Sequence, residues 1–203
     1  ALLVKVAALY HDLGKMKRPE YFYENQLNVD NIHNKLNPSM SRNIISNHIK
    51  DGVEIALKNK IPKKVIDIIS QHHGNSVITY FYKKQKNMEA ERFLNSNPDG
   101  TMEEHFRYPA KKPQTREAAI LMLADACEAA VRSIEKVTPK KIEQMVSDIV
   151  KSKIADEQLS EAEITIKEIN IIKNILIDGL ISIYHSRISY QDGSLKLLSE
   201  LKQ

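Results

Sequence analysis

Tryptophan is absent from this chain of 203 residues, and cysteine occurs once, at Cys127. One cysteine excludes an internal disulfide and makes a reducing compartment the natural expectation. Cys127 falls in an apolar helical stretch and reads as a small core residue. Glycine (6) and proline (7) are scarce while Lys, Ile, Leu and Glu abound, the composition of a helical protein. No apolar run is long and clean enough to cross a bilayer. The best candidate, Ile169 to Tyr184, carries Lys173, Asn174 and Asp178. There is no signal peptide, internal repeat or low-complexity tract. The chain opens on Ala1 directly in a helical pattern, as an excised piece of a longer protein would.

What is present is ordinary for a soluble globular protein: 42% hydrophobic and 28% charged residues. The length suits one domain, or a domain with an appendage, and is ample for a core. The net charge of +4 fits a solvated Lys/Glu surface, or else an affinity for phosphate-bearing ligands. A nucleic-acid polymer calls for a denser basic stripe than Lys111-Lys112.

Leu2, Leu3, Val6 and Leu9 recur at helical spacing, running into His11-Asp12 with Gly14 as the expected C-cap. Pro19 confirms the stop, and residues 20–38 read as an irregular loop. Ser39 or Ser41 is the expected cap of a second helix reaching about Asn59. Pro62 suits the first turn of a third, which runs to His72-His73 and stops at Gly74. Residues 76–94 read as a further helix, and 95–114 as a long loop broken by Pro98, Gly100, Pro109 and Pro113. Thr115 caps an apolar helix to about Ile134, Thr138-Pro139 opens the next, and Thr165 with Glu168 forms a capping box for the last. No strand alternation appears, so the fold class is all-α.

Chemistry concentrates in a few of these helices. His11-Asp12 closes the first, His48 lies inside the second, and His72-His73 closes the third. Taken singly, a helical histidine is more often a structural hydrogen-bonding residue, and a doublet at a helix end can simply favour the helix dipole. Asp125 sits among Ile120, Leu121, Met122, Leu123, Ala124 and Ala126, which suggests burial, and a buried carboxylate needs a partner. No Arg or Lys lies between Arg116 and Arg132, which leaves a metal ion or a histidinium. Four imidazoles and two carboxylates can hold two divalent ions if one carboxylate bridges, and such a set suits iron, manganese or zinc. Paired ions suit phosphoryl chemistry, because they activate water and stabilise charge on phosphate oxygens.

The series His11-Asp12-Leu13-Gly14-Lys15, His48, His72-His73 and Asp125 resembles the HD-domain phosphohydrolases. The segments His11–Pro19 (HDLGKMKRP), Tyr21–Gln26 (YFYENQ), Asn31–Ser41 (NIHNKLNPSMS), His72-His73-Gly74 and Phe106–Thr115 (FRYPAKKPQT) are similar to one branch. That branch comprises membrane receptors with seven transmembrane helices and an intracellular HD hydrolase. The resemblance spans essentially the whole chain. It implies an HD-domain helical bundle over residues 1–203, with a core of about 1–135 and C-terminal helices over about 138–203. It also implies a metal-dependent phosphodiesterase that opens cyclic di-AMP to linear pApA, at the cytoplasmic face of the membrane in the parent protein.

Residue by residue, the resemblance assigns His11, Asp12 and Asp125 to one metal ion. It assigns Asp12, His48, His72 and His73 to the other, with Asp12 bridging and iron or manganese as the usual metals. A further histidine ligand in family members lies upstream of the HD pair, before the first residue here. The resemblance further implies in-line attack on phosphorus by a hydroxide that the bound ions would activate, with the ribose 3′ oxygen as leaving group. Lys15 is either a phosphate contact with a catalytic role or a solvated helix-end lysine. Arg107, Tyr108, Lys111 and Lys112 either close over substrate, with Tyr108 on adenine, or belong to an ordinary proline-rich loop. The similar cyclic di-GMP enzymes carry a GYP element, whereas here His73 is followed by Gly74-Asn75-Ser76. Two rival readings are an HD nucleotidase and a metal-binding module without turnover.

Overall fold

The computed structural model describes the backbone of residues 1–26, 31–91 and 101–200, and the side chains of 1–26, 31–90 and 102–184. Eight α-helices occur among these: α1 (Leu2–Tyr10), α2 (Pro38–Lys58), α3 (Lys63–Gln71), α4 (Thr79–Glu91), α5 (Thr101–His105), α6 (Arg116–Arg132), α7 (Pro139–Ala155) and α8 (Ile166–Glu200). The all-α expectation holds. The nearest thing to a sheet among the described residues is one isolated bridge, Val77 with Arg107. Residues 92–94 of the expected fourth helix and 95–100 of the expected loop lie outside the described residues. So do 27–30.

The chain divides into two compact units: Ala1–Met122 with Asp156–Glu163, and Leu123–Ala155 with Ile164–Gln203. The division between these units falls inside α6, between Met122 and Leu123. The short segment after α7 belongs with the first unit rather than with its sequence neighbours.

In the first unit α1 and α2 both pack on α3. Ala7, Ala56, Val65, Ile66, Ile68, Ile69, Ala118 and Leu121 form its main core. Four of these are neighbours on α3, whose apolar face the sequence marks at 65, 66, 68 and 69. A smaller cluster, Ile78, Phe81 and Phe106, closes around the Val77–Arg107 bridge. In the second unit Ile142, Val146 and Val150 recur every fourth residue along α7 and are buried, and α7 packs on α8.

Three caps form as expected. Thr115 Oγ1 accepts from Ala118 N (3.2 Å), and Thr138 Oγ1 accepts from Lys141 N (3.3 Å). Glu168 Oε2 accepts from Thr165 N (2.8 Å) while Thr165 Oγ1 accepts from Glu168 N (3.2 Å), a reciprocal capping box. Others differ. Asn37, not Ser39 or Ser41, caps α2, its side chain accepting from Ser39 N, with Pro38 in the first turn. Pro62 is itself the N-cap of α3. The stretch expected as loop, 20–38, carries short 3-10 turns at Pro19–Tyr21, Tyr23–Asn25 and Ile32–Asn34. Thr101–His105 is helical within the stretch expected as loop.

Cys127 is fully buried, and burial pushes its thiol up to about 12. Its raised value means that ionisation costs more in the folded chain than in the unfolded one. The thiol therefore adds nothing to pH sensitivity below the ordinary cysteine range of about 8.5, and destabilises the fold as pH rises from there toward 12. A thiol reagent at pH 8 should leave the native chain unmodified and label it stoichiometrically in denaturant. Fast labelling of the native chain would contradict this burial.

Candidate metal centre

α1 stops at Tyr10. His11 is still helical (φ −57°, ψ −33°), whereas Asp12 moves to φ −99°, ψ 13°, and the chain tightens into a 3-10 turn over Leu13–Lys17. Gly14 is inside that turn rather than at a C-cap, and its role is contact. A Cβ there would stand 1.8 Å from the His48 carbonyl oxygen and 2.6 Å from Gly52 N. Gly52 returns the contact, its own Cβ position being 3.3 Å from Gly14 N. Two glycines thus let the HD turn lie bare against the middle of α2, beside His48.

Three rings are oriented in the same way. Nδ1 of His11 donates to Ala8 O (2.9 Å), Nδ1 of His48 to Ile45 O (2.6 Å) and Nδ1 of His72 to Ile69 O (2.7 Å). Each uses the carbonyl one turn back on its own helix. At His48 and His72, donation from Nδ1 leaves Nε2 of the neutral ring with a lone pair. The Nε2 atoms of His48 and His72 are 3.2 Å apart, in rings 2% and 0% exposed. In neutral rings two lone pairs therefore face one another, which a cation between them would turn from repulsion to attraction. Two imidazole nitrogens sharing one divalent ion, each about 2.0–2.1 Å from it, lie about 3 Å apart. His73 completes the group, and ligand atoms of His48, His72 and His73 all lie within 4.8 Å of one another. The donor set and its spacing fit a divalent transition metal.

Asp12 stands at the edge of this cluster with its two oxygens turned to different partners. Oδ1 is 3.7 Å from His48 Nε2. Oδ2 is 3.2 Å from His11 Nε2 and 2.7 Å from Lys15 Nζ. Burial pushes the Asp12 carboxyl up, but hydrogen bonds from His11 and Lys15 and the lysine charge outweigh it. The carboxyl lies far below the usual carboxylate range. Burial acts in the opposite sense on Lys15, where Asp12 and Glu24 prevail and hold the ammonium above its ordinary value. Both groups are therefore ionised across the neutral range.

The structure thus brings together His11, Asp12, Lys15, His48, His72 and His73. Lys15 is not a solvated helix-end lysine. Its ammonium bridges Asp12 and Glu24 (2.5 Å) and lies 5.2 Å over the Phe22 ring. Asp125 is half-buried on α6 rather than enclosed, and belongs to the second unit. Tyr108 stacks on His73 with ring centroids 4.3 Å apart and planes at 18°. Its near face is thus taken by a histidine rather than offered to a base. The guanidinium of Arg107, expected as a substrate contact, is committed inside the fold. It donates to Asp156 (2.7 and 3.2 Å), Glu103 (2.7 Å) and Asn75 O (2.9 Å). Lys112 is directed to Ser160 (3.4 Å) and Glu157 (3.7 Å), and Lys111 is exposed.

Sequence reasoning missed Glu24 and Phe22, the latter buried with its ring 5.9 Å from His48. Both lie in the quoted segment Tyr21–Gln26, which was the available signal. Asp156 and Gln158 were missed too, and no local pattern marks them.

An all-helical unit that gathers histidines from two helix ends and one helix interior beside a carboxylate, with nitrogens at ligand spacing, has the geometry of a metal-centre domain. The chain belongs to the HD domain family, whose model matches residues 1–130. Over 196 residues it is 46% identical to the cyclic-di-AMP phosphodiesterase PgpH of Bacillus subtilis (strain 168), covering 97% of this chain and 26% of that protein. Over 192 residues it is 47% identical to the protein of the same name from Listeria monocytogenes serotype 1/2a (strain 10403S), covering 95% and 26%. The chain thus spans about a quarter of the length of these curated relatives. It also matches the crystal structure of the L. monocytogenes PgpH HD domain in complex with cyclic-di-AMP. There the TM-score is 0.82 at 46% identity, covering 90% of this chain and 81% of that one.

Since a methyl group at Gly14 meets backbone rather than a movable side chain, Gly14→Ala forces the HD turn off α2. Overpacking of this kind costs about 1–3 kcal/mol, and here it also separates Asp12 from His48. A lowered melting temperature together with weakened divalent-metal binding is the expected result. Unchanged metal affinity in a folded Gly14→Ala chain would show that the close approach is dispensable.

Proposed function

We propose that this domain is a metal-dependent phosphodiesterase that hydrolyses cyclic di-AMP to linear pApA. The observation that carries the reading is the convergence of His48, His72 and His73 beside a carboxylate whose oxygens face two ways. Asp12, His48, His72 and His73 would hold one divalent ion, and Asp12 with His11 would contribute to a second. The role of Asp125 at that second ion rests on the family resemblance. Iron or manganese suits this imidazole–carboxylate set. Ions bound there supply an activated water and neutralise charge building on phosphate oxygens.

The chain's own residues do the rest. The i−3 carbonyl acceptors hold the three rings so that each Nε2 is presented to the centre without rotation. Asp12 stays ionised and spans the two sides of the site. Lys15, held protonated between Asp12 and Glu24, places a positive charge next to where a phosphate would sit. Hydrolysis forms one new P–O bond from water and breaks the bond from phosphorus to the ribose 3′ oxygen, which takes up a proton. Cyclic di-AMP is chosen as substrate because the names of both curated relatives and the complexed crystal structure carry it. The Gly74-Asn75-Ser76 turn in place of a GYP element supports the same choice.

None of the described helices is long and apolar enough to cross a membrane. By the resemblance, the parent protein would carry the domain at the cytoplasmic face of one.

In the full-length protein, Asp12→Ala should abolish turnover of cyclic di-AMP, by about a hundredfold or more, while helix content by circular dichroism is kept. Near-normal pApA production would refute the two-sided role of Asp12. In competition, cyclic di-AMP should be consumed before cyclic di-GMP. Equal or reversed preference would assign the chain to another substrate.

A further inference from the structure

The turn that follows His73 is gripped by a segment more than eighty positions away in sequence. Gln158 is fully buried. Its Nε2 donates to Asn75 Oδ1 (2.7 Å) and to Asp156 Oδ2 (2.9 Å). Asp156 in turn accepts both terminal nitrogens of Arg107, at 2.7 and 3.2 Å, and Arg107 Nη1 donates to the Asn75 carbonyl at 2.9 Å. The result is a closed ring of hydrogen bonds: Asn75, Gln158, Asp156, Arg107 and back to Asn75. Both oxygens of Asn75, backbone and side chain, are held by it.

Two backbone features are shaped to this ring. Gly74 has φ +56°, and a Cβ on it would stand 2.4 Å from Gln158 Oε1, so the carboxamide lies directly over the residue next to His73. Glu157, between the two gripping residues, adopts φ +53°, an unfavourable left-handed conformation for a residue with a side chain. That conformation lets Asp156 and Gln158, on either side of it, reach the same turn. Arg107 is followed by Tyr108, which stacks on His73. His73 is therefore fixed by its own turn and by a ring stacked on it, and Arg107 joins the two.

We propose that Asp156 and Gln158 are positioning residues for the metal centre, latching the His73–Asn75 turn so that His72 and His73 keep ligand geometry. The inference rests on the metal-site reading above and deepens it. The physical need is plain: ligand rings have to be held within about 0.5 Å of their working geometry, and losing the supporting hydrogen bonds of a metal site typically lowers affinity about 10–100-fold. The effect of Asp156 and Gln158 reaches the site only through Asn75, Gly74 and Arg107.

The test is Mn(II) affinity, measured by titration on the whole chain, with circular dichroism as a check on folding. Gln158→Met keeps the volume and removes the donor, and should weaken Mn(II) binding about 10–100-fold. The double variant Asn75→Ala/Gln158→Met leaves neither partner of that bond, and should lose no more than the single one. If the single variant unfolds, the double variant decides. Asp156→Glu should recover part of the affinity lost in Asp156→Ala. Val146→Ala, a core truncation on α7 outside the ring, should lower the melting temperature with Mn(II) affinity unchanged. That contrast separates positioning from mere loss of stability. Wild-type affinity in folded Gln158→Met, or an equal loss in Val146→Ala, would overturn the latch while leaving the metal centre intact. Failure of the unsubstituted chain to bind Mn(II) would overturn both.

Discussion

Everything at the candidate centre depends on one bare contact between backbones. The turn after His11-Asp12 reaches α2 without an intervening side chain, Gly14 against the His48 carbonyl and Gly52. A side chain at Gly14 would drive the two segments apart, since its Cβ would stand 1.8 Å from the His48 carbonyl oxygen, whereas one at Gly52 would meet Gly14 N at a tight 3.3 Å. The Asp12 carboxylate would then no longer stand 3.7 Å from His48. This contact explains why a residue that reads as a helix stop functions as a spacer of zero thickness. It also explains why the HD pair is useful only in the company of α2.

The centre is built on helices but aimed by carbonyls. His11, His48 and His72 all donate Nδ1–H to the carbonyl three residues earlier. A helix thereby supplies both the position of the ring and its tautomer. The price is electrostatic: lone pairs of two buried rings face each other, beside a carboxylate that lysine and histidine keep ionised. Such an arrangement is poorly suited to an empty interior and well suited to a cation, since a buried charge pattern needs its complement. Lys15 tempers the same problem from outside, its ammonium shared between Asp12 and Glu24.

Local signals in the chain were read well where the physics is local. Thr115, Thr138 and the Thr165–Glu168 pair cap the helices assigned to them, because capping involves groups three residues apart. At α2 the cap is Asn37 and not Ser39 or Ser41: it directly precedes Pro38, and its side chain accepts from Ser39 N. The residues Arg107 and Tyr108 were legible as important but not as to task. Whether a guanidinium meets a substrate or a carboxylate depends on what folds against it. Here that is Asp156, from a segment that sequence order places with the C-terminal helices and the fold places with the first unit.

By itself the sequence determined the helical class, most helix limits, and the residue types able to hold a metal, since propensity, capping and ligand chemistry are properties of short stretches. The order and spacing of His11-Asp12, His48, His72-His73 and Asp125 are enough to point to the HD family. Only the tertiary structure decided that His48 and His72 meet at ligand distance, that Tyr108 lies on His73, and that Gln158 covers Gly74. These are contacts across tens of residues: the first arises when α2 packs on α3, and the other two when the segments around Tyr108 and Gln158 fold against the end of α3. No periodicity along the chain encodes which polar side chains that packing will leave facing one another.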